Sequence, residues 1–376
     1  MRDLAKISRI DNLEPIAKKD RIELATVENY TVIVKKGEFK VGDLCVYVFY
    51  DTVLPKIKQF EFLGANCYSV LYDGYRIKNM KMAGVYSSGI VFPISIVDKK
   101  YRKYGKDVTK ALGVVRYDPE EKRDELAKVK RPVFDWLMRY EILNKFYYKF
   151  NPKKKKFTKC YPSTVLKSNE SNIEQVFNKL IKKNKDDLFY LTEKMEGSAG
   201  TWLLIDEKGE TVYKQFSHNV YKSPDIASEW TTVGNDNKLE MKLRNYKEKT
   251  GVNLAIQGEV CGPKLQSNIY GFEKVRLFVY KVTDVDTGKA FNYSELIEFC
   301  KQNDLETVPV LGTSKLLDNV DLMLEHCEGN SVFKKKNNPV KREGVVWRST
   351  SNQDVGCKCK SRDYQAWYCK KFDETK

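Results

Sequence analysis

Two rhythms of apolar residues divide this chain. Over residues 1–113 the apolar positions come in short runs broken by turns. Val27 to Val34 is rich in β-branched and aromatic residues. Lys36-Gly37-Glu38 and Gly42-Asp43 then interrupt, and Leu44-Cys45-Val46-Tyr47-Val48-Phe49-Tyr50 follows as a continuous apolar strand. Gly74 to Ile77 and Gly89 to Pro93 read as further strands. Short strands at this spacing predict a small closed barrel. Over residues 114–150 the period becomes helical. Asp118-Pro119-Glu120-Glu121 puts a proline and acids in a first turn, and Val133, Trp136, Leu137, Tyr140 and Leu143 recur at helical spacing. Asn151-Pro152-Lys153-Lys154-Lys155-Lys156 marks a boundary, and from about Cys160 a helix, Ile173 to Lys183, mixes with many strands. The pattern predicts an α+β chain in three parts: a barrel over 1–113, a helical linker over 114–159 and a larger domain over 160–376.

Composition adds constraints. A chain of 376 residues, 41% hydrophobic and 31% charged, is long enough for two cored domains and too apolar for disorder. No apolar run approaches the roughly 20 residues of a membrane span. Met1-Arg2-Asp3-Leu4-Ala5-Lys6 is charged and leads straight into strand-like sequence, unlike a signal peptide. Nine cysteines without a framework fit reduced thiols and an intracellular setting. Cys357-Lys358-Cys359 looks like half a metal site, but the only histidines are His218 and His326 and no second cysteine pair stands at zinc spacing. The net charge of +16, from 67 Lys and Arg against 51 Asp and Glu, suits a polyanionic partner, since each cation near a phosphate releases counterions. A solvated basic surface is the alternative. Within the barrel, Arg76 and Lys78 could face phosphate or simply guard an exposed strand edge.

Four blocks carry candidate chemistry. Glu193-Lys194-Met195-Glu196-Gly197 lies between the apolar strand Leu188 to Leu191 and another from Gly200 to Ile205, a strand–turn–strand with glycine at the bend. A lysine nucleophile must lose its proton, and with a free pKa of about 10.4 it needs positive neighbours or desolvation to react at neutral pH. Lys358, Lys360 and a divalent metal could supply that charge. Glu259 ends the buried strand Ala255 to Val260, where an acid is costly without a role. Phe278 and Tyr280 share a face of the strand Leu277 to Val282. Glu343 immediately precedes the strand Val345-Val346-Trp347, and in Val355 to Lys360 a period of two puts Lys358 and Lys360 on one face and Cys357 and Cys359 on the other. Each block alone also reads as ordinary structure: a hairpin lysine, a turn acid, core aromatics, a basic edge.

Their order overturns those separate readings. The succession of Lys194-Met195-Glu196-Gly197, Gly258-Glu259-Val260-Cys261-Gly262-Pro263-Lys264-Leu265-Gln266, Glu343-Gly344-Val345-Val346 and Lys358-Cys359-Lys360 resembles the covalent nucleotidyltransferase superfamily of polynucleotide ligases and capping enzymes. Within it the chain is most similar to ATP-dependent RNA ligases of the T4 RNA ligase 2 kind that carry an N-terminal OB domain. The ligase resemblance covers about 160–376 and the OB resemblance about 1–113, notably Val34 to Phe39 and Val41-Gly42-Asp43. It implies an OB-like barrel, a helical linker and an ATP-grasp-like adenylation domain of antiparallel sheets with flanking helices.

The resemblance also implies an activity and a site. The activity is joining of 3′-OH and 5′-phosphate RNA ends through a lysyl-AMP and an adenylylated 5′ end. ATP and Mg²⁺ or Mn²⁺ would be required, and the partner would be nicked or broken RNA, or an RNA/DNA hybrid, bound by a monomer. Lys194 would take AMP. Glu193, Glu196, Gly197, Glu259, Tyr280, Lys358 and Lys360 would bind the nucleotide, Tyr280 rather than Phe278 by stacking on adenine. Glu343 would organise the metal, and Lys214, His218 and Asn219, with Arg76 and Lys78, would contact phosphate. Three positions depart from the pattern: Glu196 stands where Asp or His is commoner, Lys281 where Asp usually follows the aromatic, and His218 where Arg is usual. A histidine lacks arginine's permanent bidentate fork, so Lys214 is a candidate replacement. A capping guanylyltransferase shares the lysine chemistry but usually carries its OB domain after the core. A nucleic-acid-binding protein with a decayed ligase core is the non-enzymatic alternative.

Overall fold

A computed structural model of the chain describes residues 3–117, 122, 161–166, 170–207, 209–217 and 220–372. Most of the stretch expected to be helical over 114–150, and the lysine run 153–156, lie outside the described residues. The chain divides into two compact units, Met1–Tyr147 with Gln365–Lys376, and Tyr148–Tyr364.

In the first unit, Leu44–Val48 is the central strand, antiparallel to Ala5–Arg9 on one side and Ile90–Pro93 on the other. Its continuous apolar run is explained by two burials. Val46 and Val48 pack with Ile7, Leu54 and Phe92, while Cys45 and Tyr47 pack with Val27, Tyr30 and Val32. A strand buried on both faces has no polar side to alternate with. Val27 to Val34, which reads as one strand, is instead a hairpin of Ile22–Val27 and Tyr30–Lys35. Glu28 and Asn29 make its two-residue turn with φ of 54° and 67°. Two positive φ values are the signature of a type I′ turn, usually announced by Asn-Gly or Asp-Gly; a glutamate there gives no such signal. Thr52–Pro55 pairs with Gly74–Ile77 and also with Val115–Arg116, so the sheet continues into the first residues of the expected linker.

The second unit is built on two antiparallel sheets. One runs Val310–Ser314, Phe189–Glu193, Gly344–Ser349, Gly356–Lys360 in spatial order. Helices Ile173–Asn184 and Val320–His326 cover it, with Phe177, Leu180 and Met323 against Trp347, Cys357 and Cys359. The other runs Tyr221–Lys222, Glu210–Ser217, Ser198–Glu207, Leu254–Cys261, Arg276–Asp284. Helices Glu229–Asp236, Leu239–Thr250 and Tyr293–Gln302 bury Trp230, Leu243 and Phe299 against Trp202, Ile256 and Val282. The expected class, α+β with antiparallel sheets and flanking helices, is the observed one.

Trp202 is the largest fully buried side chain of this second core. Its indole N–H donates to the Trp230 carbonyl at 3.2 Å, and its ring fills the space over Gly200, where a Cβ would stand 2.4 Å from it. Trp202→Ala should therefore lower stability by about 3–5 kcal/mol, the usual cost of removing a buried aromatic. Chemical denaturation measures this, and a loss below about 1 kcal/mol would contradict the packing described.

Candidate active site

Lys194 sits where the chain leaves one sheet for the other. It follows Phe189–Glu193 in the first sheet and precedes Ser198–Glu207 in the second, so the two strands flanking the block do not pair with each other. The expected bend is a crossover between sheets. Its backbone N–H donates to the Gly344 carbonyl at 2.9 Å, extending the ladder in which Glu193 faces Val345. That step brings Lys194 beside Glu343, and Lys194 Nζ lies 2.5 Å from Glu343 Oε1. Glycine is required at both ends of the arrangement. A Cβ on Gly344 would stand 2.2 Å from the Cys359 carbonyl oxygen, and one on Gly197 2.5 Å from that of Val260.

Glu170, Glu193, Lys194, Glu259, Tyr280, Arg348 and Lys358 line one pocket. Burial pulls the Lys194 ammonium down, but the Glu343 and Glu259 carboxylates outweigh it, and its pKa ends above the usual 10.5. The expected net depression by Lys358 and Lys360 is therefore not found: attraction to Glu343, Glu259 and Glu170 outweighs burial. Glu259 stands opposite Ala199 in the ladder. Burial, tempered by Lys194 and reinforced by Glu343, pushes its carboxyl up to about 8. Lys358 faces Val346 across the ladder and moves the other way. Burial, with Lys360 and Lys194 adding repulsion, brings its pKa down to about 7. Cys357 and Cys359 are fully buried while both lysines are half-buried, as the period of two requires.

Tyr280 reaches the pocket through a β-bulge. Gln257 faces Lys281 and Gly258 faces Val279, which leaves Tyr280 as the extra residue. The bulge switches the alternation, so Leu277, Val279 and Val282 all enter one core. Phe278 instead joins Phe272 and Phe333, with ring centroids 5.9 and 5.4 Å away. Lys281, the departure from Asp, is 5% exposed and pairs with Asp354 at 2.5 Å.

The two glutamates flanking Lys194 are turned to backbone. Glu193 Oε2 accepts the Val332 N–H at 2.9 Å. Glu196 Oε1 accepts the Ser267 N–H at 2.8 Å, and its own N–H donates to the Tyr270 hydroxyl at 2.8 Å. Burial pushes the Glu196 carboxyl up to about 7 despite those amides. Glu196 does not line the pocket; it clamps a loop.

Sequence reasoning missed Arg348 and Glu170. Arg348 Nε and Nη2 reach Glu170 Oε1 at 3.0 and 2.6 Å, and its guanidinium lies 5.3 Å from the Tyr280 ring centre. The signal for Arg348 was present: a charge in a fully buried strand needs a partner. Glu170 had none, since it becomes a neighbour only when Ser171 accepts the Lys358 N–H at 2.9 Å. The remaining expected contacts scatter. Lys214 pairs with Glu207 within its own hairpin. His218 and Asn219 lie outside the described residues. In the first unit Arg76 stacks 3.7 Å over Tyr117 and stands 3.9 Å from Asp51, and Lys78 donates to the Asn66 carbonyl at 3.3 Å.

The site offers a lysine amine with an adjacent proton acceptor, an aromatic face, a row of lysines and clustered carboxylates. Among the described residues no three His, Cys, Asp or Glu side chains converge as a ready-made metal cage. Glu343 and Glu259 nevertheless fit a hard cation that takes its other ligands from water and phosphate, which is the ordinary habit of magnesium. Burial first, and repulsion from Glu343 as a smaller contribution, hold the Glu259 carboxyl above its ordinary range, and such a cation would relieve both.

Comparison with known proteins agrees with this geometry. The OB-fold domain model matches residues 4–94 and the RNA ligase model matches residues 187–364. No curated protein sequence matches. Among solved structures, a variant of the Naegleria gruberi RNA ligase in its apo form is 22% identical, with a TM-score of 0.79 over 98% of this chain and 99% of that one. The same ligase with PPi is 21% identical, with a TM-score of 0.77 over 100% of both chains. A variant with ATP and Mn is 21% identical, with a TM-score of 0.75 over 96% and 98%. At such identity the likeness establishes the fold, and the domain matches place an OB-fold domain ahead of an RNA ligase domain. The chain thus carries an RNA ligase domain behind an OB-fold domain, in the fold of the Naegleria gruberi RNA ligase.

Proposed function

We propose that the chain joins RNA ends with ATP through a lysyl-AMP intermediate. The observation that carries this reading is the 2.5 Å pair of Lys194 Nζ and Glu343 Oε1, with Lys194 lining a pocket together with Tyr280, Glu259 and Lys358. The resting amine is protonated, and Glu343 Oε1 is the nearest acceptor for the proton it must shed. The neutral amine attacks the α-phosphorus; a P–N bond forms and the bond to pyrophosphate breaks. A 5′-phosphate of RNA then displaces the lysine and takes AMP. A 3′-hydroxyl attacks that activated phosphate, AMP leaves and a phosphodiester remains. In each step the protein aligns groups and matches charge at the transferring phosphate. Tyr280 would hold adenine, Glu259 a ribose hydroxyl, and Lys358 with Lys360 the departing pyrophosphate. A bound magnesium or manganese ion, held by Glu343, would neutralise phosphate charge and lower the proton affinity of Lys194. Binding of ATP and Mn by the similar Naegleria gruberi ligase is in keeping with this. The OB-fold domain would add contacts to the RNA.

The direct test is labelling. Wild-type protein with α-labelled ATP and divalent metal should become covalently labelled, with α-labelled GTP in parallel to expose a capping-type specificity. Lys194→Ala should carry no label, because a phosphoramidate needs the amine. Glu343→Ala and Lys358→Ala should each slow labelling at least ~100-fold, the usual loss for a group that preorganises charge at a transferring phosphate. A labelled alanine variant at 194, or labelling by GTP alone, overturns the reading.

The Lys358 pKa of about 7 sets a pH dependence. Lys360 and Lys194 face it as cations, and Glu170 and Glu343 as acids. Below that value Lys358 is charged and binds triphosphate; above it the empty site holds a neutral amine. A triphosphate favours the charged form, so binding takes up a proton and weakens as pH rises through about 7 to 9. The KM for ATP in the labelling reaction should therefore rise over that range, while the maximal rate climbs as Lys194 deprotonates. Lys358→Arg keeps its charge and should flatten the KM rise. An equally steep rise in that variant would remove Lys358 from the triphosphate site.

A further inference from the structure

Among the described residues, the hairpin of Asn330–Lys335 and Asn338–Lys341 is a strongly basic element of the ligase domain that the nucleotide site leaves unused. It contains no acidic residue, and Lys334, Lys335 and Lys336 are exposed at its tip. A solvated charge run is the ordinary explanation for such a tip, but this one closes in a defined turn and packs at its root. Lys336 and Asn337, with φ of 48° and 65°, close it as a two-residue turn. Phe333 anchors its root among Tyr270, Phe272 and Phe278, at centroid distances of 5.6, 5.2 and 5.4 Å. The stem of Lys335 lies across Gly271, where a Cβ would stand 2.9 Å from its Cγ. The root is also fastened to both sides of the nucleophile. Val332 donates its N–H to Glu193, and Tyr270, beneath Phe333, accepts the Glu196 N–H.

We propose that this hairpin is an RNA-binding element of the ligase domain, with Lys334, Lys335 and Lys336 meeting the phosphate backbone of the strand whose end reacts at Lys194. The proposal rests on the RNA-joining reading above and names a partner surface for it. The polyanion that must bring its end to Lys194 is RNA, and the lysine row is held in fixed relation to that amine through Glu193 and Glu196. Glu193 and Glu196 are thereby positioning residues: their bonds tie the nucleophile's block to the element that would carry the strand.

The test is the triple variant Lys334→Gln, Lys335→Gln, Lys336→Gln in the full-length protein. Its labelling by α-labelled ATP should stay within about twofold of wild type, since none of the three lines the pocket. Its binding to a nicked duplex with RNA at the 3′-OH side should weaken by about 10- to 100-fold at low salt. The slope of log K against log salt should shrink by about two to three, close to one unit per phosphate contact. Unchanged affinity, or weaker binding with an unchanged salt slope, overturns the proposal. So does unchanged RNA binding accompanied by lost retention on polyglutamate, which would assign the hairpin to an acidic protein. Failure of wild-type labelling would sink the reading of Lys194 while leaving the binding comparison free to decide the hairpin.

Discussion

Keeping several carboxylates and cations together in a partly dry pocket is the constraint on which this ligase domain depends. Buried charges are tolerable only when paired or amply hydrogen-bonded. The protein meets that demand differently for each group. Glu343 pairs with Lys194, and Glu170 with Arg348. Glu193 and Glu196 accept backbone amides from elements beyond the pocket. Glu259 is held up by burial, which the attraction of Lys194 only tempers, and its carboxyl is pushed up to about 8. The resting site is thus acid-rich around a protonated lysine. A ligand that brings phosphate and a cation reverses both signs: the cation relieves the acids, and the phosphate recharges Lys358.

The scaffold that holds these groups was legible in outline. The apolar run from Leu44, the alternation of lysines with cysteines at 357–360 and Glu343 just before its strand are seen as expected, while the first strand stops at Val48 rather than Tyr50 and Glu259 lies inside a strand that runs on to Cys261. The failures have a common physical source. At Val27–Val34 a turn without glycine hid a hairpin, because Glu28 takes the first positive-φ position and Asn29, the one favourable residue, only the second. At Tyr280 a bulge shifted the alternation, so that one strand sends Phe278 to an aromatic cluster and Tyr280 to the pocket. Turns and bulges are single-residue events that pairing decides, and a period computed along one strand cannot contain them.

The site itself was readable as a list of residues but not as a set of tasks. Glu196 shows why. As a glutamate where Asp or His is commoner, it looked like a variant nucleotide contact. Its carboxylate reaches the amides of Ser267 and Ile269, at 2.8 and 3.5 Å. A side chain one methylene longer than aspartate makes those two contacts here, which the residue's identity alone did not announce. Arg348 shows the converse. It stood in plain view as a charge in an apolar strand, yet its partner Glu170 is 178 residues away, and no local pattern connects them.

The same distinction applies to charge. A surplus of +16 points to a polyanion without saying where it lies. Arg76, a natural candidate in the barrel, is occupied by Tyr117 and Asp51, and Lys214 by Glu207. An arginine stacked on an aromatic ring, or a lysine already paired within a hairpin, must give up that partner before it can gain a phosphate, and the exchange returns little. Lysines 334–336 differ in geometry rather than in number: they are exposed, adjacent and mounted on a root whose Phe333 packs against three aromatic rings. A rigid mount matters because a sealing reaction needs its two ends in line, and a cation that drifts with its loop holds a strand without aligning it. Binding the hairpin root to Glu193 and Glu196 makes the position of the strand and the position of the nucleophile parts of one mechanical unit.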